Sequence, residues 1–292
     1  MSDLSWLLPA STSDAPLDSS ASDPSAPDPV SYAEPDEPGP GQRWSTWDDI
    51  GVLAGPEPWP DWVVTTDAAI DTELGVLKTG KEADVFLLER ADPERGVVLA
   101  AKRYRSLDHR LFSRDAGYTE GRRMRNSRDR RAAAKGTRHG RAVGAGQWAA
   151  AEFDCLARFW SAGLPVPYPV QLDGTELLME LITLADGSGA PRLAQTRPDR
   201  PLLEAYWAQL VDAMRAMAAL GLAHGDLSPF NLLATEERLV LIDLPQVVDV
   251  VANPQGTNYL ARDCRNVATW FRARGLDVDG DELLADLLAY AF

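Results

Sequence analysis

The feature that most constrains this chain is the stretch HGDLSPFNLL at 224–233. It places Asp226 five residues before Asn231, and apolar residues follow the asparagine. This spacing occurs in enzymes that transfer the γ-phosphate of ATP, where the Asp orients or deprotonates the acceptor hydroxyl and the Asn carbonyl binds a metal ion. Similar strings also occur in ordinary loops, so the stretch alone indicates a phosphotransferase without saying which kind.

A second carboxylate follows this loop closely enough to share its chemistry. Asp243 ends the apolar run LVLID, twelve residues after Asn231. Carboxylate and amide oxygens are ligands that Mg²⁺ prefers in proteins. We therefore predict that Asn231 and Asp243 hold Mg²⁺ or Mn²⁺, with Asp226 as the catalytic base. The alternative for Asp243 is a capping role before Pro245, and His224 is expected to be structural rather than a base.

Upstream, two segments have the composition of a triphosphate site. LKTGKEADVFLL at 77–88 places Gly80 in a turn before a strand, where backbone N–H groups can approach phosphates, although a plain hairpin turn is the alternative. Lys102 lies late in the apolar run GVVLAAKRY. The chain has 25 Arg but only four Lys, so a retained Lys suggests that a compact charge is needed. We predict that Lys102 binds phosphate and pairs with Glu152, rather than being a solvated edge residue.

The order of elements indicates an α+β fold with a β-rich N-lobe and an α-rich C-lobe. Periodicity predicts a hairpin, a helix, a strand, a long helix, a second small hairpin and two last helices. These lie at 84–90 with 96–104, 146–163, 176–182, 198–221, 231–234 with 238–243, 257–274 and 279–291. The N-lobe is predicted at about 44–180 and the C-lobe at about 181–292, with a hinge near Glu180–Ile182.

Charge is distributed unevenly along a chain whose net charge is −15. Residues 1–42 hold eight Asp or Glu, eight Pro and no Lys or Arg, so a disordered acidic tail is predicted for 1–43. Residues 102–142 hold fourteen Lys or Arg against four acids. Two cysteines and no long apolar run favour a reduced, cytoplasmic protein without a membrane segment.

Taken together, these segments resemble the RIO family of atypical serine/threonine protein kinases, in particular its type-1 branch. TGKEADVF (79–86) is similar to the family's phosphate loop, QWAAAEFDCL (147–156) to its W-A-x-x-E helix, and LLMELI (177–182) to its hinge. HGDLSPFN, LIDLPQVV and ARDCRNV (261–267) resemble its catalytic loop, its metal-binding segment and a helix motif. The resemblance spans about residues 75–272.

The resemblance implies a protein-kinase-like fold with a reduced C-lobe, ATP and Mg²⁺ as cofactors, and phosphorylation of serine or threonine. It also implies ATP hydrolysis through an aspartyl-phosphate, which by position falls on Asp243 as a second catalytic residue. Phosphates are expected at Thr79, Gly80, Lys81 and Glu82, adenine at the backbone of Glu180 and Ile182, and Met179 beside it as gatekeeper. Departures from the family pattern are Lys78, Asp84, Pro229 and Leu244–Pro245.

Two other functions remain open at the level of sequence. HGDLSPFN resembles the loop of aminoglycoside and choline phosphotransferases equally well, so a small-molecule kinase is one alternative. An RNA- or ribosome-binding ATPase that uses the basic segment 103–142 is the other, because clustered cations bind phosphate backbones. The protein substrate is not indicated, and autophosphorylation is included among the expected activities.

Overall fold

The structure is a computed structural model that describes residues 37–105 and 138–292, with side chains omitted for 138–143. Residues Pro38–Phe292 form one compact unit. Most of the predicted acidic tail and of the basic segment 103–142 lies outside the described residues. Within the described part, no helix is both long and apolar enough to cross a membrane.

The N-terminal half is built on a seven-stranded antiparallel sheet with the order β1-β3-β4-β5-β7-β6-β2. Its strands are β1 Gln42–Trp44, β2 Leu53–Ala54, β3 Ile70–Thr79, β4 Ala83–Ala91, β5 Gly96–Tyr104, β6 Pro169–Asp173 and β7 Glu176–Glu180. The hairpin predicted for β4 and β5 is confirmed, with Val85 opposite Lys102.

Successive side chains of β5 point to opposite faces of the sheet, and each face packs against a different core. Leu99 and Ala101 point to a small core built around Trp47 and Tyr168. Ala100 and Tyr104 point to the main core, which continues into the C-terminal half. Because successive side chains alternate in direction, Lys102 lies on the same face as Ala100 and Tyr104. This face looks into the space between the two halves of the molecule.

Helix α1, Arg138–Ser161, packs against that inner face. Its buried stripe contains Ala149, Glu152, Phe153 and Leu156, the spacing of one face of a helix. Glu152 is thus a carboxylate on an otherwise apolar stripe, with 2% exposure. The helix begins eight residues before the predicted start at 146, because the apolar period used to find it begins only there.

The C-terminal half is mainly helical. It contains helices α2 Arg200–Ala219, α3 Gly256–Arg272 and α4 Gly280–Ala291, with short strands β8 Leu222–Ala223, β9 Leu232–Ala234, β10 Leu239–Leu241 and β11 Val248–Asp249. Asp199 caps α2 by accepting from the Leu202 N–H, and Pro201 lies in its first turn. The predicted small hairpin is β9–β10.

The predicted two-lobed α+β fold is confirmed, with differences at its boundaries. Strand β1 begins at Gln42, inside the range predicted as tail, and Arg43 pairs with Asp71 of β3. Strand β7 ends at Glu180 instead of continuing to Ile182. The strand stops there because the chain turns away from the sheet, and the Ile182 carbonyl accepts from Ala190 N–H at 2.8 Å.

Candidate active site

A cleft of about 970 Å³ separates the sheet from the helical half. This volume is in the range of small-molecule sites. Its walls come from the β3–β4 turn, β5, α1, the segment after β7 and the residues following β10. The predicted site residues that line it are Gly80, Lys81, Glu82, Lys102, Glu152, Met179, Glu180, Ile182 and Asp243. Three predicted site residues are not among the lining residues: Thr79, at the exposed end of β3, and Asp226 and Asn231 of the 224–233 loop.

Lys102 connects three elements at the base of the cleft. Its Nζ lies 2.8 Å from the Glu152 carboxylate of α1 and 2.8 Å from Asp243 Oδ1, which follows β10. Burial would lower the pKa of Lys102, but these two carboxylates raise it above the usual value, so the amine stays charged. The predicted Lys102–Glu152 pair is therefore present, and Asp243 joins it.

Further groups hold the Glu152 carboxylate in place. The Tyr104 hydroxyl donates to Glu152 Oε2, and the Leu244 N–H donates to Oε1 at 3.3 Å. Burial and the adjacent Glu152 charge raise the pKa of Tyr104, so it remains a donor. A buried carboxylate is tolerated only when its oxygens are paired in this way. Glu152 thus positions Lys102 at the cleft floor.

Asp243 occupies an unusual backbone conformation. Its φ is +69°, and no other non-glycine residue in the described part of the chain has a positive φ. Such conformations cost energy for residues with a side chain and cluster at functional sites. Burial would raise the pKa of Asp243, but Lys102 holds it below the usual value, with His224 and Lys78 adding to the effect. The result is an ionised carboxylate facing the cleft.

The loop at 224–233 brings the predicted base and metal ligand beside Asp243. Asn231 Nδ2 donates to the Asp226 carbonyl at 2.9 Å, which fixes the direction of the amide. The Ile242 N–H donates to the Asn231 carbonyl at 3.0 Å, and Asp243 is the next residue. The side chain of Asp226 is half exposed. Burial raises the pKa of Asp226, and the nearby Asp243 charge adds to the shift.

His224 lies beneath this loop and is fully buried. Its Nε2 is 3.0 Å from the Ile242 carbonyl, so the imidazole ties the loop to the end of β10. This geometry agrees with the structural role predicted for His224, since the ring does not reach the cleft surface.

Asp263 of α3 supports the 224–233 loop, a role that the sequence analysis did not assign. Its carboxylate accepts from the Gly225 N–H at 2.7 Å and the Leu227 N–H at 2.8 Å. From the same helix, Asn266 Nδ2 donates to the Leu227 carbonyl at 3.1 Å. The ARDCRNV motif marked this part of α3 as a family feature. It did not predict the contact with the 224–233 loop, because the loop and α3 are more than thirty residues apart in sequence.

The turn between β3 and β4 requires glycine at one position. The Gly80 N–H donates to the Ala83 carbonyl at 3.0 Å, and a Cβ on Gly80 would approach that oxygen to 2.7 Å. Lys81 and Glu82 lie between these residues and line the cleft. The turn therefore brings its backbone close to the cleft, as a phosphate-binding turn requires.

The segment after β7 is held as a defined hinge. The Glu180 N–H donates to the Tyr168 carbonyl at 2.8 Å, and the Tyr168 N–H donates back to Glu180 Oε2 at 3.1 Å. Met179, Glu180 and Ile182 line the cleft. Their predicted adenine contacts remain a prediction.

Arg192 and Phe230 are cleft residues that sequence reasoning missed. Arg192 Nη1 donates to the Phe230 carbonyl, and Phe230 is 61% exposed. Because the chain has 25 Arg, a single arginine in a loop does not indicate a functional site. The two residues come together only in the folded chain, where the segment after the hinge packs against the 224–233 loop.

The donor set near Asp243 fits a magnesium-type ion. The described residues contain no cluster of three or more His, Cys, Asp or Glu side chains suited to a metal. Mg²⁺ is commonly held by one or two protein oxygens together with substrate phosphates and water. Because Asn231 Nδ2 is engaged with Asp226, its Oδ1 is the atom left to act as a ligand alongside Asp243. The two predicted metal ligands therefore suit such an ion.

Comparison with known proteins places this site in a family. A RIO domain family model matches residues 98–283. The RIO-type serine/threonine-protein kinase Rio1 of Haloferax volcanii is 38% identical over 217 residues, which cover 74% of this chain and 69% of that protein. Serine/threonine-protein kinases RIO1 of Chaetomium thermophilum and Caenorhabditis elegans are 36% and 32% identical, over 50% and 70% of this chain. The matches cover only 28% and 38% of those two longer proteins. The chain belongs to the RIO family of serine/threonine-protein kinases.

Proposed function

We propose that the chain transfers the terminal phosphoryl group of ATP, in the presence of Mg²⁺ or Mn²⁺, to a serine or threonine hydroxyl. The observation that carries this proposal is the contact of Lys102 Nζ with both Glu152 and Asp243, at 2.8 Å each. It places a charged amine and an ionised carboxylate at one end of a nucleotide-sized cleft. Phosphoryl transfer needs mainly such positioning and charge stabilisation.

In this proposal adenine lies between the sheet and the hinge, at Met179, Glu180 and Ile182. Thr79, Gly80, Lys81 and Glu82 cover the phosphates, and Lys102 contacts them from below. A divalent ion held by Asn231 and Asp243 would neutralise phosphate charge. The acceptor oxygen bonds to the γ-phosphorus, the bond from phosphorus to the bridging oxygen breaks, and ADP leaves.

Asp226 receives the acceptor proton in this scheme. Its side chain is half exposed beside the loop, and its raised pKa suits a base better than the depressed pKa of Asp243. Asp243 is proposed as a second destination for the phosphoryl group. Its carboxylate oxygen would then attack the γ-phosphorus, and water would hydrolyse the resulting aspartyl-phosphate, which gives net ATP hydrolysis. No contact of the described residues favours a small-molecule kinase over this activity.

The test is incubation of purified protein with γ-labelled ATP, Mg²⁺ and a serine-containing protein. Asp226→Asn should lower the rate of transfer by about 10²- to 10⁴-fold, the usual contribution of a positioned base. The matched control is Asp212→Asn, on the exposed face of α2. Full activity of Asp226→Asn would refute the assignment of the base. Label on the chain that hydroxylamine removes, and that persists in Asp243→Asn, would exclude Asp243 as phosphoryl acceptor.

A further inference from the structure

Four cations line the cleft, and among the described residues only Lys102 is paired with carboxylates. These cations are Lys78, Lys81, Lys102 and Arg192. Lys102 is held by two carboxylates, and Lys81 belongs to the predicted phosphate turn. Within residues 37–105 and 138–292, the Lys78 side chain makes no hydrogen bond or ion pair, while its backbone pairs with Val85 in the sheet. Arg192 has no carboxylate partner in the same residues, and its side chain bonds instead to the Phe230 carbonyl.

Lys78 and Arg192 reach the cleft from opposite lobes. Lys78 is the penultimate residue of β3, two positions before Gly80 of the phosphate turn. Arg192 lies between the hinge and α2, where a β-bridge joins it to Leu233 of β9. Its contact with Phe230 anchors the guanidinium beside Asn231, the next residue. Both cations are therefore close to the elements proposed to hold phosphate, Lys78 near Gly80 and Arg192 near Asn231.

Their charges act on each other and on Asp243. Burial lowers the pKa of Lys78, and the Arg192 charge lowers it further, while Asp243 opposes both effects. The pKa of Arg192 is also lowered by burial, with Asp243 again opposing. Like charges near each other are electrostatically unfavourable, and the Asp243 carboxylate offsets this repulsion only in part. An anionic group bound between them would remove that cost.

We propose that Lys78 and Arg192 clamp the transferred phosphoryl group of ATP between the two lobes. This inference rests on the proposed function, because it assumes that ATP occupies the cleft. Lys102 and the β3–β4 turn account for the inner phosphates, whereas the terminal phosphate extends towards the loop that carries Asn231. The clamp donates hydrogen bonds to the oxygens of that phosphate while its bond to the ADP oxygen breaks. Cations at this position stabilise the charge of the transition state.

Comparing the affinities of the chain for two nucleotides distinguishes this clamp from a general attraction for phosphate. ADP lacks the terminal phosphate, whereas the non-hydrolysable imido analogue of ATP carries it. Affinities for both would be measured by calorimetry, with Mg²⁺, for the intact chain and for Lys78→Ala, Arg192→Ala and the double variant. Arg200→Ala is the matched control, because Arg200 is an exposed cation that pairs with Glu204 outside the cleft. Arg192→Gln provides a second, milder variant if Arg192→Ala unfolds.

Each single substitution should weaken the imido analogue about tenfold or more and ADP less than about threefold, as loss of a charged hydrogen bond predicts. The double variant should lose less than the product of the single effects, because both side chains act on one group. Equal losses for the two nucleotides, or no loss in any variant, would overturn the clamp. If the unsubstituted chain bound neither nucleotide, the proposed function itself would fail, together with the clamp.

Discussion

At the scale of single residues, the site depends on two carboxylates whose environments shift their pKa values in opposite directions. Asp243 contacts a lysine and is held ionised, whereas burial and a neighbouring carboxylate raise the pKa of Asp226. Divergent pKa values in neighbouring acids are a general sign of divided roles in catalysis. This difference supports the proposed roles of Asp243 as metal ligand and Asp226 as base.

Arg262 of α3 is expected to set the acid limb of the pH profile. Its Nη2 lies 4.0 Å from Asp226 Oδ1, and its charge lowers the pKa of Asp226. Arg262→Gln should therefore raise that pKa further, and kcat/KM should begin to fall at a pH about 0.5 unit higher, as expected for a half-exposed pair. The control is Arg265→Gln, an exposed arginine of the same helix. An unchanged or lowered acid limb in Arg262→Gln would argue against Asp226 as the titrating base.

Individual residues differ in how far sequence alone could place them. Lys102 was predictable because lysine is rare in this chain and because the residue lies late in an apolar strand. Asp243 was predictable from its spacing to Asn231. Arg192 was not predictable, because its contact with the Phe230 carbonyl joins segments that are distant in sequence.

At the scale of elements, α3 supports the catalytic loop from beneath. Asp263 accepts two backbone N–H groups of the loop, and Asn266 donates to a third backbone group. These bonds satisfy polar groups that the loop would otherwise bury unpaired. The orientation of Asp226, between the two N–H groups, therefore depends on a helix that begins thirty residues later.

Asp263→Ala should loosen this loop and lower activity. It leaves two buried N–H groups without an acceptor, at about 1–3 kcal/mol for each. We expect a loss of about 2–6 kcal/mol in the free energy of urea unfolding, together with faster hydrogen exchange at Gly225 and Leu227. Asp277→Ala, at an exposed carboxylate after α3, is the control. Unchanged exchange at both amides would show that α3 does not hold the loop.

Element types were more predictable than element boundaries. The β4–β5 hairpin and the C-terminal helices follow from apolar periodicity, and each is present. The start of α1 was placed too late, since RHGRAVGA at 138–145 has two glycines and little periodicity. The end of β7 was placed too far along, because apolar residues continue after Glu180 to Ile182 while the hinge depends on tertiary hydrogen bonds.

At the scale of the whole molecule, Lys102 couples the two lobes. It extends from β5 of the sheet, and its contact with Asp243 reaches the segment after β10 in the helical half. The hinge provides a second connection, where Arg238 lies 3.6 Å from Glu180. RNA or ribosome binding through 103–142 stays a prediction, since only 103–105 and 138–142 of that segment are within the described residues and the side chains of 138–142 are not.

The most direct test of the central claim is the rate of phosphoryl transfer from γ-labelled ATP by Lys102→Met. The substitution removes the charge that joins Glu152 to Asp243 and keeps a side chain of similar length. The rate should fall by about 10²- to 10³-fold, as for loss of one preorganised donor. Arg95→Met, an exposed cation in the β4–β5 turn, should retain the rate of the unsubstituted chain. A Lys102→Met variant that remained folded and transferred phosphate at the normal rate would contradict the account.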